Sequence, residues 1–422
     1  MSATSEQFPA PSEGLPDGIT SDWLSGALRH NGLLSADTAV NVQTITAIYH
    51  NLVFRVHVTY TAEHSQQNPT ALPTSFVLKL VDSCLARSAE REVFAYGMLR
   101  ERMPLSTTLQ MPAMYWSAQG SHLSYSCAAS KRSSDEDEDE DESFPVGAAL
   151  IMQDMQALNV APFDQDLREP PFEGWHPENL RLASATWALQ KLAIIHAYWW
   201  DKGPELAGFP PLATRRAYNG MEGEPPYYVK VADTWKGQLH TMPQCILERC
   251  ASLCRRFPSI QAMVDFAKSA STTLLHGDFG APNFLVDVES GSVNLLDLAE
   301  INVGSPAEEL ASFLMRANIW HDDDATAGAR FPRCLHGFSW SEATGQRREY
   351  SAECTGTLLQ HYHTSLIAHG VAADKYPFQL LLDGVAVSTV LNLLGNSKAG
   401  DSDEEIMGKF ESFLAMVGEL SS

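Results

Sequence analysis

The sequence predicts an α+β fold in two parts, a strand-rich part up to about residue 150 and a helix-rich part beyond it. The first part contains short runs of apolar and alternating residues, such as residues 75–81, which are typical of strands. The second part contains long runs with apolar residues at every third or fourth position, such as residues 180–200, which are typical of helices. A chain of 422 residues is long enough to give each part a hydrophobic core.

The first part is predicted to begin with a disordered tail and a short helix. Residues 1–18 are rich in Pro, Ser and Glu, a composition typical of disorder. A helix begins near residues 19–24, and Thr20 or Ser21 is its candidate cap. Strands are then predicted at residues 42–48, 52–60, 75–81, 110–115 and 148–152, with a helix at 89–102.

A run of eight acidic residues, 135–142, separates the last two predicted strands. Like charges at this density repel one another and cannot be buried, so residues 130–143 are predicted to form a disordered surface insertion. Docking of a basic partner or binding of divalent ions is the alternative role for this run. The insertion is compatible with the fold because a long surface loop adds little closure entropy.

The second part is predicted to be mainly helical. Its predicted helices are residues 180–200, 244–256, 259–269, 307–318, 351–369, 378–394 and 404–420. A strand at residues 272–275 and a hairpin of residues 284–288 and 292–296 interrupt them. The predicted domains are therefore a strand-rich domain at residues 19–152 and a helical domain at residues 153–422.

Composition and charge narrow the possible partners. With a formal net charge of −23, the chain lacks the excess of Lys and Arg that phosphate backbones require, so no nucleic-acid partner is expected. No run reaches the roughly 18 to 20 uncharged apolar residues of a membrane span, and the N-terminus lacks a secretory signal pattern. Seven scattered cysteines without CxxC pairs predict reduced thiols and a cytoplasmic location.

Residues 276–283, which read His-Gly-Asp-Phe-Gly-Ala-Pro-Asn, form the most informative stretch of the chain. Asp278 follows a predicted buried strand, and Asn283 comes five positions later. The hairpin then ends on a second carboxylate, Asp297. This order suits phosphoryl transfer. One carboxylate can accept the hydrogen bond of an acceptor hydroxyl, while an amide oxygen and a second carboxylate can hold Mg²⁺ on nucleotide phosphates.

These residues resemble the aminoglycoside phosphotransferase and choline kinase family of small-molecule kinases. In that family the transfer loop reads His-Gly-Asp, four residues, then Asn, and a later metal-binding Asp ends a strand, as Asp297 does here. Gly-Ser-Pro at 304–306 and Glu-Leu-Ala at 309–311 resemble the next segment, with Glu309 in place of the usual Asp. The similarity extends over about residues 19–420 and is greatest to the choline-kinase-like and ecdysteroid-kinase-like branches. It implies a bilobal protein-kinase-like fold with a small strand-rich N-lobe and a large helical C-lobe.

The resemblance implies ATP and Mg²⁺ as cofactors and a role for each loop residue. Asp278 would orient the acceptor hydroxyl and take its proton, while Asn283 and Asp297 would hold Mg²⁺. His276 joins Asp278 among the catalytic candidates, although its imidazole is expected to hold the loop by hydrogen bonds. Residues 278–280 also spell the Asp-Phe-Gly of protein kinases, whose Asp binds metal. The preceding His-Gly and the following Asn favour the catalytic-loop interpretation instead.

The strand-rich part contains a lone cation in an apolar strand, Lys79, where a charge is costly without partners. In the family such a Lys binds the α- and β-phosphates and pairs with a Glu on the next helix. Glu92 is the first candidate for that Glu, because its surroundings resemble the family's Arg-Glu-x-x-x-Tyr signature, and Glu90 is the alternative. The plain structural alternative for Lys79 is an edge-strand residue whose ammonium group reaches water.

Two further segments resemble parts of the family's nucleotide site. Residues 45–56 occupy the position of the phosphate-covering loop but contain no glycine. Because the family often has Ser or Asn there, Tyr49, His50 and Asn51 are candidates for this role, with Asn51 the first among them. Residues 150–155 resemble the strand that leads into the hinge between the lobes. The backbone groups of Gln153 and Met155 are therefore candidates to bind the nucleotide, with Gln153 where the family commonly has Glu.

The acceptor is expected to bind in the helix-rich part. Aromatic and acidic residues there are suited to an alkylated ammonium group through cation–π contact, although core packing is the simpler role for Trp199. The candidates are Trp199, Trp200, Asp201, Trp235, Trp320, His321 and residues 322–324. His196 lies in a segment that resembles the helix supporting the catalytic loop, so a structural role is expected. Tyr362 and its neighbours resemble a late segment of the ecdysteroid-kinase-like branch, which phosphorylates lipophilic alcohols.

The predicted function is an ATP- and Mg²⁺-dependent kinase whose partner is a small-molecule hydroxyl substrate. An amino alcohol, a sterol-like alcohol and an aminoglycoside-like compound are the acceptor classes that the resemblance implies. The alternative is a catalytically weak or inactive kinase-like binding protein, motivated by the glycine-free loop and by Gln153. Transfer to a protein Ser or Thr is less favoured, because no activation-segment signature follows Asp297.

Overall fold

The computed structural model describes residues 20–30, 32–35, 38–49, 53–61, 73–82, 86–103, 109–126, 143–155, 179–206, 208–209, 212, 226–280, 283–287, 292–316, 318–320, 352–397, 402, 414, 417–418 and 420. The predicted tail at residues 1–18 lies outside them, as do residues 130–142 of the predicted acidic insertion. Ser143, the last residue of that insertion, is the first residue of a strand.

The chain forms two compact units. The first comprises Met1–Arg102 and Met111–Val160, and the second comprises Met103–Gln110 and Ala161–Ser422. The described part of the first unit is rich in strands and that of the second is mostly helical, so the predicted α+β class and the order of its parts are confirmed.

The first unit is built on a five-stranded antiparallel sheet with the strand order β1-β2-β3-β6-β5. The described strands up to residue 160 are β1 (Val40–Tyr49), β2 (Val53–Tyr60), β3 (Ser75–Asp82), β4 (Leu109–Gln110), β5 (Met114–Ser126) and β6 (Ser143–Gln153). Two helices accompany the sheet, α1 (Ser21–His30) and α2 (Ala86–Arg102). The hydroxyl of Thr20 accepts the backbone N–H of Trp23 at 3.1 Å, as expected of a helix cap.

The predicted strand at residues 110–115 is wrong. The structure divides this segment, because β4 ends at Gln110 and β5 begins at Met114. Pro112 lies between the two strands and has no backbone N–H to donate to a sheet. β4 pairs in parallel with a strand of the second unit, residues 292–295, which explains why residues 103–110 belong to that unit.

The second unit combines nine described α-helices and a 3-10 helix (Leu298–Glu300) with short strands. The helices are α3 (Leu182–Tyr198), α4 (Gly203–Leu206), α5 (Tyr227–Thr234), α6 (Gln244–Arg249), α7 (Ala251–Arg256), α8 (Ile260–Ser269), α9 (Pro306–Arg316), α10 (Ala352–Ala368) and α11 (Phe378–Gly395). The strands are β7 (Asn179–Arg181), β8 (Thr273–Leu275), β9 (Phe284–Asp287), β10 (Ser292–Leu295), β11 (Asn302–Gly304) and β12 (Asn318–Trp320). They pair as β4-β10-β9, β11-β8 and β12-β7. The helix predicted at residues 404–420 lies mostly outside the described residues.

The helix predicted at residues 244–256 is broken in the structure. Cys250 separates α6 from α7, with φ −119° and ψ 38°, outside the helical region. Its buried thiol donates to the carbonyl oxygen of Leu414 at 3.4 Å. Burial raises the pKa of this thiol to about 12, so it stays protonated at neutral pH. A tertiary contact that the helical pattern does not reveal therefore accompanies the break.

The long helix α11 is a core element of the second unit. By length and composition it is the one described helix that could cross a membrane, with a mean hydropathy of 1.5. However, 72% of it is buried inside the structure, where it packs against α5, α8 and α9. Asp383 interrupts its apolar sequence, so the helix contains no uncharged run of the length of a membrane span.

Candidate active site

The residues of the candidate catalytic loop lie between short strands of the second unit. β8 pairs antiparallel with β11, and residues 276–280 follow β8 directly. β9 and β10 form an antiparallel hairpin, with Asn283 just before β9 and Asp297 shortly after β10. The backbone N–H of Leu296 donates to the carbonyl oxygen of Asn283 at 2.9 Å. The two predicted metal ligands are therefore held at the same end of one hairpin.

Asn283 contacts Asp278 through its side-chain nitrogen. Nδ2 donates to the Asp278 carbonyl oxygen at 2.7 Å and to the carboxylate Oδ2 at 2.8 Å. Because both partners can only accept, the nitrogen faces Asp278 and the amide oxygen of Asn283 points away from it. Both side chains are half-buried. The arrangement separates the candidate base from the candidate metal-binding oxygen, as the two predicted roles require.

Asp297 has a strained backbone and a side chain suited to a metal ion. Its φ of 52° and ψ of 66° lie in the left-handed region, which Asp tolerates better than most residues and which is often found at functional sites. No described group of three or more His, Cys, Asp or Glu residues is arranged to hold a metal. The Asp297 carboxylate and the Asn283 amide oxygen still fit Mg²⁺, which is commonly bound by one or two protein oxygens together with phosphates and water.

Gly277 occupies a position that no other residue fits. Its φ of 86° is in the left-handed region, and a Cβ placed there would overlap the carbonyl oxygen of Glu300. Glu300 is in turn fixed, because its carbonyl oxygen accepts the side-chain N–H of Asn302 at 2.8 Å. The residue before Asp278 is therefore glycine because the loop passes directly against another backbone segment.

His276 joins the loop to the segment that carries Asp297. Its Nε2 lies 2.9 Å from the carbonyl oxygen of Leu296, which can only accept, so Nε2 carries the proton. The ring is buried, and its Nδ1 has no hydrogen-bond partner among the described residues. The imidazole thus holds the loop in place, as expected from the sequence. No described residue is placed to exchange a proton with Nδ1.

Phe279 anchors the loop in an apolar cluster. Its ring is fully buried, lies 5.3 Å from the ring of Phe284 in a stacked arrangement, and lies 5.3 Å from the ring of Phe313. The ring of His276 meets it edge to face at 5.8 Å. Burial of an aromatic ring stabilises the folded state by a free energy of several times RT. The burial of Phe279, next to Asp278, therefore holds the loop on the helical core.

Glu309, on α9, accepts hydrogen bonds from the loop backbone. The N–H groups of His276 and Gly277 donate to its carboxylate at 3.1 Å and 2.6 Å, and His196 Nε2 lies 3.0 Å from it. Burial alone would raise the pKa of Glu309, but the hydrogen bond from His196, together with the interactions of His276 and the Gly277 N–H, lowers it. From the sequence, Glu309 was recognised only as a replacement for the family's Asp. Its position beside the apolar residues of a helix was the available signal of a buried role.

His196, on α3, extends this network to Tyr362 on α10. The tyrosine hydroxyl lies 2.7 Å from His196 Nδ1, and both residues are fully buried. The two rings meet edge to face with centroids 5.8 Å apart. The structural role expected of His196 agrees with these contacts, whereas the contribution of Tyr362 was not predicted.

Lys79, in the first unit, lies on the central strand of the sheet. It pairs with Val53 of β2 on one side and with Leu150 of β6 on the other, so the edge-strand alternative is wrong. Its ammonium group lies 2.8 Å from the Glu92 carboxylate on α2, and the side chains are 18% and 1% exposed. Glu90, the alternative partner, is exposed. Of the two predicted partners of Lys79, it is therefore Glu92 that forms the ion pair.

The predicted phosphate-covering segment lies partly outside the described residues. Asn51 is among the residues that are not described, so no structural statement concerns it. β1 ends at Tyr49 and β2 begins at Val53, the residue that pairs with Lys79. The first residue of β2 is therefore the neighbour of Lys79 in the sheet.

Gln153 and Met155 differ in how their backbone groups are used. The N–H of Gln153 donates to the carbonyl oxygen of Ala113 at 2.8 Å, and its side-chain Oε1 accepts the N–H of Ala113 at 3.1 Å. The Gln153 N–H is thus already used within the sheet, which leaves its carbonyl as the candidate group for a nucleobase. Met155 is buried at the end of this segment. Between them, Asp154 is held by Arg55 at 2.8 Å.

Of the predicted acceptor-binding residues, some lie in the core and some are at least partly exposed. Trp199 and Trp235 are buried, and the indole N–H of Trp235 donates to the carbonyl oxygen of Leu394 at 3.0 Å. Trp200 is half-buried against the ring of Tyr376, with centroids 4.8 Å apart. Asp201 is exposed and has a φ of 55°. Nothing is described of the side chain of Trp320, His321 or residues 322–324.

Comparison with known proteins identifies the family. The model of the phosphotransferase enzyme family matches residues 49–345, which is most of the chain. This range includes Lys79, Glu92, the candidate catalytic loop and Glu309. No curated protein matches the chain.

Several solved structures are similar at low sequence identity. The aminoglycoside phosphotransferase APH(3'')-Id from Streptomyces rimosus, solved with ADP and streptomycin, is 13% identical, with 82% of this chain and 92% of that chain covered and a TM-score of 0.33. A macrolide 2'-phosphotransferase type I is 14% identical, with 97% and 98% covered and a TM-score of 0.42. The choline kinase from Cryptosporidium parvum Iowa II is 10% identical, with 95% and 96% covered and a TM-score of 0.41. Similarities of this size carry no argument about substrate. Because the family model matches most of its length, the chain belongs to the phosphotransferase enzyme family.

Proposed function

We propose that the chain is an ATP- and Mg²⁺-dependent kinase that transfers the γ-phosphate to a hydroxyl group of a small molecule. The observation that carries the proposal is the hydrogen bonding of Asn283, whose side-chain nitrogen is held by Asp278. This contact orients the Asp278 carboxylate and turns the amide oxygen of Asn283 away from it, which leaves that oxygen available to a metal ion. Family membership makes phosphotransfer the reaction to be explained.

Asp278 is the base candidate in this proposal. One of its carboxylate oxygens accepts the Asn283 N–H, which orients the group, and a carboxylate has capacity for a further hydrogen bond from an acceptor hydroxyl. Half-burial keeps the carboxylate within reach of a small molecule. A positioned base of this kind contributes roughly 10²- to 10⁴-fold to the rate.

Asn283 and Asp297 are the candidate metal ligands. Both lie at the same end of the β9–β10 hairpin and offer one amide oxygen and one carboxylate. Bound Mg²⁺ would supply positive charge to the β- and γ-phosphates. The left-handed backbone of Asp297 directs its side chain at the cost of local strain, a cost typical of residues with a positional role.

The first unit supplies the candidate groups for the rest of the nucleotide. Glu92 holds the Lys79 ammonium group at a fixed position on the central strand, where it can act as a point charge for the α- and β-phosphates. The backbone of Gln153 and Met155 is proposed to contact the nucleobase. Asn51 is proposed to contribute to the phosphate-covering connection between β1 and β2.

ATP turnover over a panel of small alcohols tests the proposal. The panel contains amino alcohols, sterol-like alcohols and aminoglycosides, and the full chain is compared with its Asp278→Asn variant. We expect the wild-type protein to phosphorylate at least one member and the variant to be roughly 10²- to 10⁴-fold slower. Asp265→Asn is the matched control, because Asp265 is an exposed carboxylate on α8, and its turnover should equal that of the wild type.

The same experiment separates the kinase from a kinase-like binding protein. The absence of glycine from residues 45–56 is the observation that favours the second function. Binding of ATP without phosphorylation of any panel member, together with equal behaviour of wild type and Asp278→Asn, would establish the binding protein and remove the kinase proposal.

A further inference from the structure

We propose that Tyr362 is a positioning residue for the candidate catalytic loop and acts through His196 and Glu309. The inference rests on the proposed function, because the loop in question is the one assigned to phosphoryl transfer. Tyr362 lies on α10, and its partner His196 is 166 positions away in the sequence. Consecutive hydrogen bonds connect its hydroxyl to the backbone of the loop.

The Glu309 carboxylate is surrounded by donors. One oxygen accepts the N–H of Gly277, and the other accepts the N–H of His276 and contacts His196 Nε2. Because a carboxylate can only accept, His196 Nε2 must carry a proton. Glu309 also lies in the first turn of α9, where the helix dipole favours a negative charge. These contacts stabilise an anionic Glu309 without a charged imidazole.

The proton on His196 Nε2 determines what Tyr362 does. In a neutral ring Nδ1 is an acceptor, and the Tyr362 hydroxyl donates to it. In a charged ring Nδ1 would donate, and the hydroxyl proton of Tyr362 would then need another acceptor. Among the described residues His196 is the only hydrogen-bond partner of this buried hydroxyl. Burial also raises the pKa of Tyr362, so the hydroxyl keeps its proton. The His196 Nε2 proton and the Tyr362 hydroxyl proton therefore both have an acceptor only when the His196 imidazole is neutral.

Tyr362 therefore fixes both the tautomer and the orientation of the imidazole that supports Glu309. Without its hydroxyl, His196 Nδ1 is a buried acceptor with no donor among the described residues, and the contact of Nε2 with Glu309 is the one described side-chain hydrogen bond left to orient the ring. Glu309 would then lose a donor of fixed direction, and the N–H groups of His276 and Gly277 would lose a fixed acceptor. The effect reaches Asp278 through the backbone of the preceding residue.

The Tyr362→Phe variant removes one hydroxyl and leaves the ring that packs against His196. ATP hydrolysis, with water as the acceptor, is measured for the full chain. We expect kcat to fall about 3- to 10-fold while KM for ATP stays within about twofold, because the change loosens the loop and not the nucleotide contacts. Tyr60→Phe is the stability control, since the Tyr60 hydroxyl donates to the carbonyl oxygen of Pro73 at 2.5 Å in the first unit. It should lower the unfolding midpoint and leave kcat unchanged.

A second measurement does not depend on any catalytic activity. In protein labelled with ¹⁵N in its histidine rings, His196 should have the neutral Nε2–H form, and Tyr362→Phe should change the signal of Nδ1. Hydrogen exchange of the His276 and Gly277 amides should be about 10-fold faster in Tyr362→Phe than in the wild type. Tyr60→Phe should leave both the ring signals and these two exchange rates as they are.

The outcomes separate this inference from the proposed function. A lower kcat with faster exchange of the two amides supports the positioning role. Unchanged exchange of both amides in Tyr362→Phe, or a His196 ring without a proton on Nε2, overturns it. If the wild-type protein hydrolyses no ATP and phosphorylates no alcohol, the proposed function fails, and the ring signals and exchange rates alone decide the role of Tyr362.

Discussion

Glu309 and Glu92, the two buried glutamates in the part of the chain that the structure describes, hold their partners in different ways. Glu309 accepts two backbone N–H groups of the candidate catalytic loop and contacts a buried imidazole. Glu92 holds Lys79, which is 18% exposed, through a contact between two side chains. Every substitution except proline keeps the backbone N–H donor, whereas replacement of Lys79 removes its ammonium group and leaves the backbone as it is. We infer that changes near Glu309 affect folding and catalysis together, while changes at Lys79 affect mainly nucleotide binding and turnover.

The largest effect is expected at the glycine that donates to Glu309. Gly277→Ala adds a Cβ that overlaps the carbonyl oxygen of Glu300 and forces a left-handed backbone on alanine. The strain alone costs about 1–3 kcal/mol, and the overlap should bring the loss of unfolding free energy above about 4 kcal/mol. Urea denaturation followed by circular dichroism measures this loss.

Gly370→Ala is the matched control for that change. Gly370 also has a positive φ, 110°, but an added Cβ meets no atom within 4 Å. It should therefore show the strain without the overlap, about 1–3 kcal/mol. Equal losses for the two variants would contradict the tight approach of the loop to Glu300.

The next effect concerns the charge of Glu309. Glu309→Gln removes a buried anion with several donors, so the expected loss of unfolding free energy is about 3–5 kcal/mol at neutral pH. The pKa of Glu309 is lowered in the folded state, so its stabilisation is present above the unfolded pKa of about 4.3 and is lost as the pH falls through the folded value. The difference between wild type and Glu309→Gln should accordingly be constant from pH 7 to about pH 5 and shrink below that.

Denaturation midpoints at several pH values measure this difference. Glu248→Gln is the control, because Glu248 is an exposed side chain that accepts a hydrogen bond from Gln244. Its difference from the wild type should stay small at each pH. A Glu309→Gln difference that grows as the pH falls would contradict an anionic Glu309.

In contrast to Glu309, Lys79 should affect ATP turnover more than stability. Lys79→Met removes the cation proposed to contact the phosphates, and kcat/KM for ATP should fall about 100-fold, the size of effect known for a lost transition-state donor. Its loss of stability should be smaller than that of Glu309→Gln, because Lys79 is partly exposed. Adding Glu92→Gln removes the remaining buried charge, so the double variant should regain stability but not activity. Recovery of ATP turnover in the double variant would remove Lys79 from the proposed site.

The smallest effect on stability is expected at Asn294, a residue of strand β10. This residue is fully buried, and neither polar atom of its amide has a partner among the described residues. Asn294→Val should raise the unfolding free energy by about 1 kcal/mol, since it removes an uncompensated buried amide from a strand. Asn302→Val is the comparison, because buried Asn302 donates to Glu300 and should lose stability instead. A loss in both variants would contradict the account of Asn294.

The sequence predicted contacts between near neighbours better than those between distant residues. The predicted contact of Lys79 with Glu92, 13 positions away on the next helix, is present. Asp278 and Asn283, five positions apart, also contact each other, although the sequence predicted only their separate roles. The carboxylate of Glu309 lies 33 positions from His276, a separation at which spacing carries no geometric information. The Tyr362 contact, at 166 positions, could be found only from packed coordinates.

Two errors in the predicted elements have different physical causes. Residues 110–115 form an apolar run, but Pro112 cannot donate within a sheet, so the run is divided between two units. Residues 244–256 have a helical pattern throughout, yet the helix breaks at Cys250, whose thiol contacts Leu414. In the first case the signal was present in the sequence, whereas in the second it lay in a tertiary contact.

The central claim is that Asp278 acts as the base and Asp297 as a metal ligand. The Mg²⁺ dependence of ATP turnover, measured for Asp278→Asn and Asp297→Asn beside the wild type, tests it most directly. We predict that Asp278→Asn lowers kcat roughly 10²- to 10⁴-fold at an unchanged Mg²⁺ midpoint, while Asp297→Asn raises that midpoint at least about 10-fold. A raised Mg²⁺ midpoint in Asp278→Asn with an unchanged midpoint in Asp297→Asn would contradict the assignment and give the metal to Asp278.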